Sequence, residues 1–236
     1  MRLELLVTGT GRSGTVYMAK LLSSAGIMCG HESLFTTEGI DGCLKRISGN
    51  TEIITSAVSG GEWFDPKNQS AESSYLAAPY ADHDVLRQTK IIHIVRNPIK
   101  VVSSTLIDAE FFDDIKQKPY LNFVLQHTPE IMEEKSNLMR TVAYYVAWNQ
   151  MIETKCANRQ YKRIRVEDCP SALFEFLPWS NKSLHDDKKT NHWGLRKNDI
   201  DISDMPQSRL KKNFIDMCKK YGYQKECNLA RCISLL

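Results

Sequence analysis

The sequence predicts an α/β protein with three layers, α/β/α, built around a central and mostly parallel β-sheet. Short apolar runs that end in glycine or polar turns alternate with segments whose apolar residues recur at helical spacing, which is typical of parallel sheets. The most apolar run, Lys90–Val95, is rich in β-branched residues, as expected of a central strand that is covered on both faces. The 236 residues contain no repeat, low-complexity tract or linker, so we expect a single domain over residues 1–236.

A strand, a helix and a second strand are predicted in close succession at the start of the chain. Leu3–Thr8 is an apolar run closed by glycines, which indicates a buried strand followed by a tight turn. From Thr15, apolar residues recur at helical spacing as far as Gly26, which ends the helix. Ile27–Cys29 is the second strand and leads into Gly30-His31-Glu32. We expect a parallel sheet in which His31-Glu32 lies beside the glycine loop.

The remaining chain is predicted to add one strand and four helices around the central strand. They are a helix over Ile99–Phe112, a helix over Pro129–Cys156, a strand over Tyr161–Val166, a helix that begins at Pro170 and an amphipathic helix over 204–222. The long second helix has acidic residues near its start and Lys155 near its end, as the helix dipole favours. Segments 36–89 and 178–203 are rich in loops and show no clear pattern.

Composition and charge limit the classes of function. The chain has 31 Lys and Arg against 28 Asp and Glu, and the net charge of +3 suits a small anionic ligand without indicating a nucleic-acid-binding protein. No apolar stretch reaches the roughly 18–20 residues of a membrane span, and Glu4 interrupts the first apolar run. The seven cysteines form no Cys-x-x-Cys pair. We expect a cytoplasmic protein that binds neither nucleic acid, membrane nor metal; the sequence leaves the oligomeric state open.

A glycine-rich loop between the first strand and the first helix is predicted to bind a phosphate or sulfate group. Glycines let the backbone fold around an anion, and the amides at a helix start carry a partial positive charge. Arg12 adds a full positive charge, while Ser13 and Thr15 add hydroxyl donors. The loop residues predicted to hold the anion are Gly11, Arg12, Ser13, Gly14, Thr15 and Val16.

This loop lacks two residues of the Walker A motif. Thr15 stands where that motif has lysine, and Val16 stands where it has the serine or threonine that binds magnesium. Both differences argue against a P-loop kinase that acts on a small molecule with Mg-ATP, which stays an alternative. Dinucleotide binding is a weaker one, because Glu32 is near the distance of a ribose-binding acid but lies in a polar turn.

A second anion site is predicted directly after Lys90–Val95. Arg96 follows the end of this strand, and α/β folds bind their ligands at the carboxyl edge of the sheet. Ser104, eight residues further on, falls roughly two turns into the next helix. The arginine and the hydroxyl can therefore converge on one phosphate.

Together, the two motifs resemble those of the sulfotransferases that use 3′-phosphoadenosine 5′-phosphosulfate. In that family a core like Arg12-Ser13-Gly14-Thr15 holds the 5′-phosphosulfate, and a run like Arg96-Asn97-Pro98, with a serine at the position of Ser104, holds the 3′-phosphate. The resemblance covers roughly residues 1–35 and 88–110. It implies a P-loop-like sulfotransferase fold, this donor and no metal requirement. Gly194-Leu195-Arg196-Lys197 matches only part of the family's closing C-terminal segment.

The resemblance also implies the reaction, transfer of a sulfuryl group to a hydroxyl or amine of a small-molecule or glycan acceptor. Such a transfer needs a base for the acceptor's proton and a cation near the bridging oxygen, and Arg12 is placed to be that cation. Family members that modify sugars or small alcohols often have a glutamate at the position of Glu32, which is our first candidate for the base. His31 is the second, as a base or as the partner that orients Glu32. In the plainer alternative, His31 is a surface residue and Glu32 caps the next helix.

A function of another class is also compatible with these motifs. The chain could keep the fold and bind a nucleotide or another anion without catalysing a reaction. Such a protein would bind its nucleotide tightly, and replacing Glu32 by glutamine would leave its function intact.

Overall fold

The fold was analysed in a computed structural model that describes residues 2–50, 69–169, 171–177 and 200–225. Over these residues its strands and helices are β1 (Leu5–Thr8), α1 (Thr15–Ser24), β2 (Cys29–His31), α2 (Gly39–Ile47), β3 (Ala71–Ser73), β4 (Lys90–Val95), α3 (Pro98–Ser103), α4 (Lys118–His127), α5 (Asn137–Cys156), β5 (Tyr161–Arg165), α6 (Ser171–Phe176) and α7 (Arg209–Lys220). The described strands form one sheet in the order β2-β3-β1-β4-β5. The predicted α/β class with a central parallel sheet flanked by helices is confirmed.

The chain divides into two compact units. One comprises Met1–Ile94 with Met151–His192, and the other comprises Val95–Gln150 with Trp193–Leu236. The glycine loop belongs to the first unit and Arg96 to the second. The expectation of a single domain over residues 1–236 stays a prediction.

The centre of the sheet lies in the first unit. β1 pairs in parallel with β3 on one side and with β4 on the other, so that Val7 is level with both Ser73 and Ile92. All four residues of β1 are buried, as are Ile91, Ile92 and Ile94 of β4. Each of the Leu, Val and Ile side chains in this set contributes roughly 1.5–3 kcal/mol when it leaves water. The continuous apolar character of β4 therefore reflects a strand that is covered on both faces.

The strand between β1 and β2 was not predicted from the sequence. It is β3, so the strand that ends at His31 is not the direct neighbour of β1. β3 has only three residues, and its middle one, Glu72, gives it neither an apolar run nor an alternating pattern. Because β3 lies there, its residues stand between the ends of β1 and β2.

The position of α1 follows from two glycines. Gly14 adopts φ 109°, a conformation that side chains rarely allow, and serves as the N-cap of the helix. Met18 and Leu22 are buried at i, i+4 spacing, and α1 contacts β1, β2 and β3. Gly26, with φ 81°, lies just beyond the last helical residue. The predicted strand, loop and helix are therefore present, with α1 ending at Ser24.

The second unit has a core of its own, formed mainly by α3, α5 and α7. α5 has 20 residues, so it is about 30 Å long. Tyr145 of this helix packs edge-on against Phe214 of α7, with ring centroids 5.6 Å apart. The Tyr223 hydroxyl donates a hydrogen bond to the Val95 carbonyl oxygen at 3.3 Å. Over the described residues, no helix is both long enough and apolar enough to cross a membrane.

Two predicted helices differ at their ends. The helix predicted over Ile99–Phe112 is α-helical only as far as Ser103, and a π-helical turn over Ser104–Asp108 follows it. The helix predicted from Pro129 begins at Asn137, because Pro129–Glu133 is a separate 3₁₀ turn. Ser136 explains this later start, since its hydroxyl accepts a hydrogen bond from the Met139 N–H at 3.2 Å, as an N-cap residue does.

Candidate active site

The glycine loop between β1 and α1 folds back on itself through Ser13. The backbone N–H and the hydroxyl of Ser13 both donate to the Thr10 carbonyl oxygen, at 3.2 and 2.7 Å. Arg12 adopts a left-handed conformation, with φ 68°, and is exposed. The Ser13 hydroxyl, which the sequence offers to an anion, therefore shapes the loop in this structure.

The loop passes very close to β4 at Gly9. A Cβ atom at this position would collide with the carbonyl oxygen of Ile94 and with Oγ of Ser13. The first of these atoms belongs to the backbone of a buried strand and has little freedom to move. Gly9 is therefore required for the close approach of the loop to the sheet.

Two threonine hydroxyls at this end of β1 lack hydrogen-bond partners. Thr8 and Thr10 are 0% and 1% exposed, and neither hydroxyl has a partner among the described residues. A buried hydroxyl is destabilising unless something accepts or donates a hydrogen bond to it. These two hydroxyls at the start of the glycine loop are therefore available as hydrogen-bond donors.

The two candidates for the base are the last residue of β2, His31, and the first residue after it, Glu32. Glu32 adopts φ 52°, and its N–H donates to the Ser73 carbonyl oxygen at 3.3 Å. Nε2 of His31 lies 3.2 Å from Oγ1 of Thr15 and 3.7 Å from Oε1 of Glu32. The structure therefore places His31 beside both Glu32 and the first residue of α1.

Ser73, at the end of β3, joins the glycine loop to the turn after β2. Its hydroxyl donates to the Thr15 carbonyl oxygen at 2.7 Å, while its own carbonyl oxygen accepts the N–H of Glu32. One residue thus contacts both the start of α1 and the turn after β2. Sequence reasoning missed it, because segment 36–89 shows no strand pattern that would place Ser73 in the sheet.

Burial shifts the pKa values of the two candidate bases in opposite directions. It raises the pKa of Glu32 from 4.5 to about 7, and the negative charge of Glu72 adds to this shift. Burial lowers the pKa of His31 from 6.5 to about 4. His31 is therefore uncharged at neutral pH, and its 3.7 Å contact with Glu32 is not an ion pair there. Of the two, Glu32 has the pKa that suits a general base at neutral pH.

The second predicted anion site lies in the other unit, around the start of α3. Arg96 is half-buried, and the Asn97 side chain caps the helix by accepting the N–H of Ile99 at 3.0 Å. Ser104 is 8% exposed, and its hydroxyl donates to Oδ2 of Asp108 at 3.0 Å. The sequence did not predict this acidic partner of Ser104.

Two predictions concern a metal and a closing segment. In the part of the chain that the structure describes, no group of three or more His, Cys, Asp or Glu side chains could hold a metal ion. Gly194-Leu195-Arg196-Lys197, the partial match to a closing segment, lies outside the described residues.

Comparisons with known proteins gave distant structural likenesses. No protein-family model matches the chain. No curated protein matches it. A crystal structure of a sulfotransferase from Alicyclobacillus acidocaldarius is similar over 97% of this chain and 96% of that one, with 14% identity and a TM-score of 0.45. At this distance, the residues of the site are the basis for a functional assignment.

Proposed function

We propose that this protein is a sulfotransferase that transfers a sulfuryl group from 3′-phosphoadenosine 5′-phosphosulfate to a hydroxyl or amine of a small-molecule or glycan acceptor. One observation carries the proposal. Glu32, a largely buried carboxyl with a pKa of about 7, is linked through Ser73 to the start of the helix that follows the glycine loop. A base close to an anion-binding loop is the arrangement that this reaction needs.

The residues of the first unit fit the 5′-phosphosulfate of this donor. The loop from Gly11 to Val16 offers backbone amides at the start of α1, and Arg12 adds a cation. We assign the buried hydroxyls of Thr8 and Thr10, which have no partner among the described residues, as further donors to its oxygens. For the 3′-phosphate we propose Arg96 and Ser104, on the strength of the sequence motif.

The chemistry assigned to the protein's own residues is proton removal and charge stabilisation. The donor supplies a sulfuryl group that its phosphate already activates. Glu32, as the carboxylate, accepts the acceptor's proton at an Oε atom. The acceptor oxygen bonds to sulfur as the bond from sulfur to the bridging phosphate oxygen breaks, and that oxygen keeps the electron pair. Arg12 and the amides of the loop stabilise the charge that develops there.

Donor binding is tested by thermal melting with adenosine 3′,5′-bisphosphate, the desulfated donor, in the absence of magnesium. At a hundred times its Kd, the ligand should stabilise the protein by about 2.7 kcal/mol. Arg96→Ala should abolish this shift, whereas Arg87→Ala, which removes an exposed arginine elsewhere, should preserve it. If Mg-ATP also stabilised the protein, and Arg96→Ala left the shift with the bisphosphate unchanged, the results would instead favour a P-loop kinase.

Catalysis is tested by sulfate transfer from labelled donor over a panel of alcohols, sugars and amines. The wild type should transfer sulfate to at least one acceptor, and Glu32→Gln should bind the bisphosphate normally while losing transfer. A wild type that binds the bisphosphate and modifies no acceptor would support the non-catalytic alternative. Full transfer by Glu32→Gln would show that Glu32 is not the base.

A further inference from the structure

Glu72, the middle residue of β3, is fully buried, and four hydrogen-bond donors lie around its carboxylate. Oε1 accepts from the backbone N–H groups of Ser33 and Leu34, at 2.8 and 3.1 Å. Oε2 accepts from Nε2 of Gln69 at 2.5 Å, and the single hydrogen of the Ser33 hydroxyl is shared between Oε2 at 2.7 Å and Oε1 of Gln69 at 2.9 Å. An ionised carboxylate can only accept, so four donors favour the charged form. Burial acts in the other direction and raises the pKa of Glu72.

Two of these four donors are the backbone amides that directly follow Glu32. The Glu32 N–H itself donates to Ser73, so β3 holds three consecutive amides of the turn after β2. With φ 52°, Glu32 adopts a left-handed conformation, which costs a residue other than glycine about 1–2 kcal/mol. Such a conformation persists where surrounding contacts fix it. Glu72 and Ser73 supply those contacts.

The same turn is held from α2 by a charge of opposite sign. Arg46 is 3% exposed, and its Nη1 donates to the Leu34 carbonyl oxygen at 3.2 Å. Its Nη2 contacts Oε2 of Glu38 at 2.6 Å. The peptide groups on the two sides of Leu34 are thus bound by Glu72 through the N–H and by Arg46 through the carbonyl oxygen.

The surroundings of Glu72 leave little space for another arrangement. A Cβ atom at Gly30 would collide with Oγ of Ser33 and with the Gln69 amide. Gly30 is level with Glu72 in the sheet, so the turn and β3 pack closely at this point. A carboxylate at position 72 therefore fixes the neighbouring backbone directly.

We infer that Glu72 is a positioning residue, which holds the backbone of Ser33 and Leu34 and thereby keeps Glu32 in place. The inference rests on the proposed function, because Glu32 is the proposed base. Glu72 has an electrostatic effect as well, since its charge adds to the raised pKa of Glu32 and also acts on Cys29 and Cys43. Among the described residues, His31 lies beside Glu32, and Arg46, with its partner Glu38, lies on the other side of Leu34.

The test compares the wild type with Glu72→Gln by NMR, which requires no acceptor. Amide exchange at Ser33 and Leu34 should be slow in the wild type and at least about tenfold faster in Glu72→Gln, because a neutral amide is a weaker acceptor than a carboxylate. The side-chain titration of Glu32, assigned with Glu32→Gln, should move below its midpoint of about 7. It should stay above 4.5, because burial remains.

Thr89→Val is the matched control. It removes another buried hydrogen bond, from the Thr89 hydroxyl to the Leu3 carbonyl oxygen at 2.8 Å, at the start of β4. It should lower stability without changing the Glu32 titration or the exchange at Ser33 and Leu34. Slow exchange at both amides in a folded Glu72→Gln would overturn the inference. If that variant does not fold, exchange in the wild type decides the question. Slow exchange of the Ser33 and Leu34 amides there supports the inference, and fast exchange overturns it.

Steady-state kinetics of Glu72→Gln then test whether the positioning role of Glu72 affects catalysis. In Glu72→Gln, kcat should fall by about 10–100-fold while KM for the donor is unchanged, because the base is misplaced and the anion loop is intact. The acidic limb of the kcat profile should move to lower pH, which a merely destabilising change would not cause. If the wild type transfers no sulfuryl group, the proposed function fails, whereas the NMR measurements still decide the role of Glu72.

Discussion

The two predicted anion sites differ in how their hydroxyl groups are engaged. At the glycine loop, the Ser13 hydroxyl donates to the Thr10 carbonyl oxygen at 2.7 Å, whereas the buried hydroxyls of Thr8 and Thr10 have no partner among the described residues. After β4, the hydroxyls are already bonded. Ser103 accepts the Ile200 N–H at 2.9 Å, and Ser104 donates to Asp108 at 3.0 Å. Thr8 and Thr10 therefore have no described hydrogen bond to give up, whereas Ser13 and Ser104 must each leave a present partner before they can donate to an anion.

This difference indicates separate contributions from the two regions. Donors that are already in place stabilise charge without reorganisation, which is the property that favours catalysis. A site that must exchange one partner for another gains less free energy from its ligand. We therefore expect the loop and Glu32 to govern kcat, and the region of Ser104 to adjust the affinity for the donor.

The largest expected effect is on the reaction rate. Glu32→Gln should lower kcat by about 10²–10⁴-fold, the usual contribution of a general base, with the bisphosphate Kd unchanged. Wild-type kcat should rise with pH through about 7, where Glu32 loses its proton. His31→Asn is the control, and a loss of kcat as large as that of Glu32→Gln would assign the base to His31 instead.

Glu32→Gln should also increase the stability of the protein at alkaline pH. Because the folded protein holds the proton of Glu32 more tightly than the unfolded chain, stability falls as the pH rises from 4.5 to about 7. At about pH 8, Glu32→Gln should therefore be more stable than the wild type by about 2–3 kcal/mol. The difference should vanish below 4.5, and equal stability at both ends of a pH series of denaturant melts would contradict the burial of this carboxyl.

A third test separates the shape of the loop from the stability of the protein. Gly9→Ala should cost about 1–3 kcal/mol of stability and displace the loop, because its Cβ collides with the Ile94 carbonyl oxygen. Gly49→Ala should cost about 1–2 kcal/mol through its positive φ alone, since nothing lies within 4 Å of its Cβ. Only Gly9→Ala should weaken binding of the bisphosphate, which calorimetry would measure. Equal binding by both variants would mean that the loop does not contact the ligand.

The smallest expected effect is on the affinity for the bisphosphate and comes from the residues that follow β4. Asp108→Ala releases the Ser104 hydroxyl, so the affinity for the bisphosphate should rise by about fivefold, the equivalent of one hydrogen bond. Glu130→Ala removes an exposed acidic residue of the same unit and is the control for net charge. If both variants bind equally tightly, the bond between Ser104 and Asp108 does not compete with the ligand.

Local patterns in the sequence predicted most of the elements that surround the site. β4 has its predicted bounds, because an apolar run that is buried on both faces leaves no ambiguity. The glycine loop was equally clear, since Gly14 must adopt a positive φ at the start of α1. β3 was missed, because the backbone pairing of three residues leaves no mark on side-chain periodicity.

The sequence by itself determined an α/β protein with a glycine loop at the end of its first strand and His31-Glu32 at the end of its second. These features depend on local propensity and spacing. Only the tertiary structure decided that β3 lies between those strands, that Glu72 binds the turn after β2, and that Glu32 has a raised pKa. Strand order and burial are set by residues far apart in the chain, and a carboxyl takes its protonation from the groups that come to surround it.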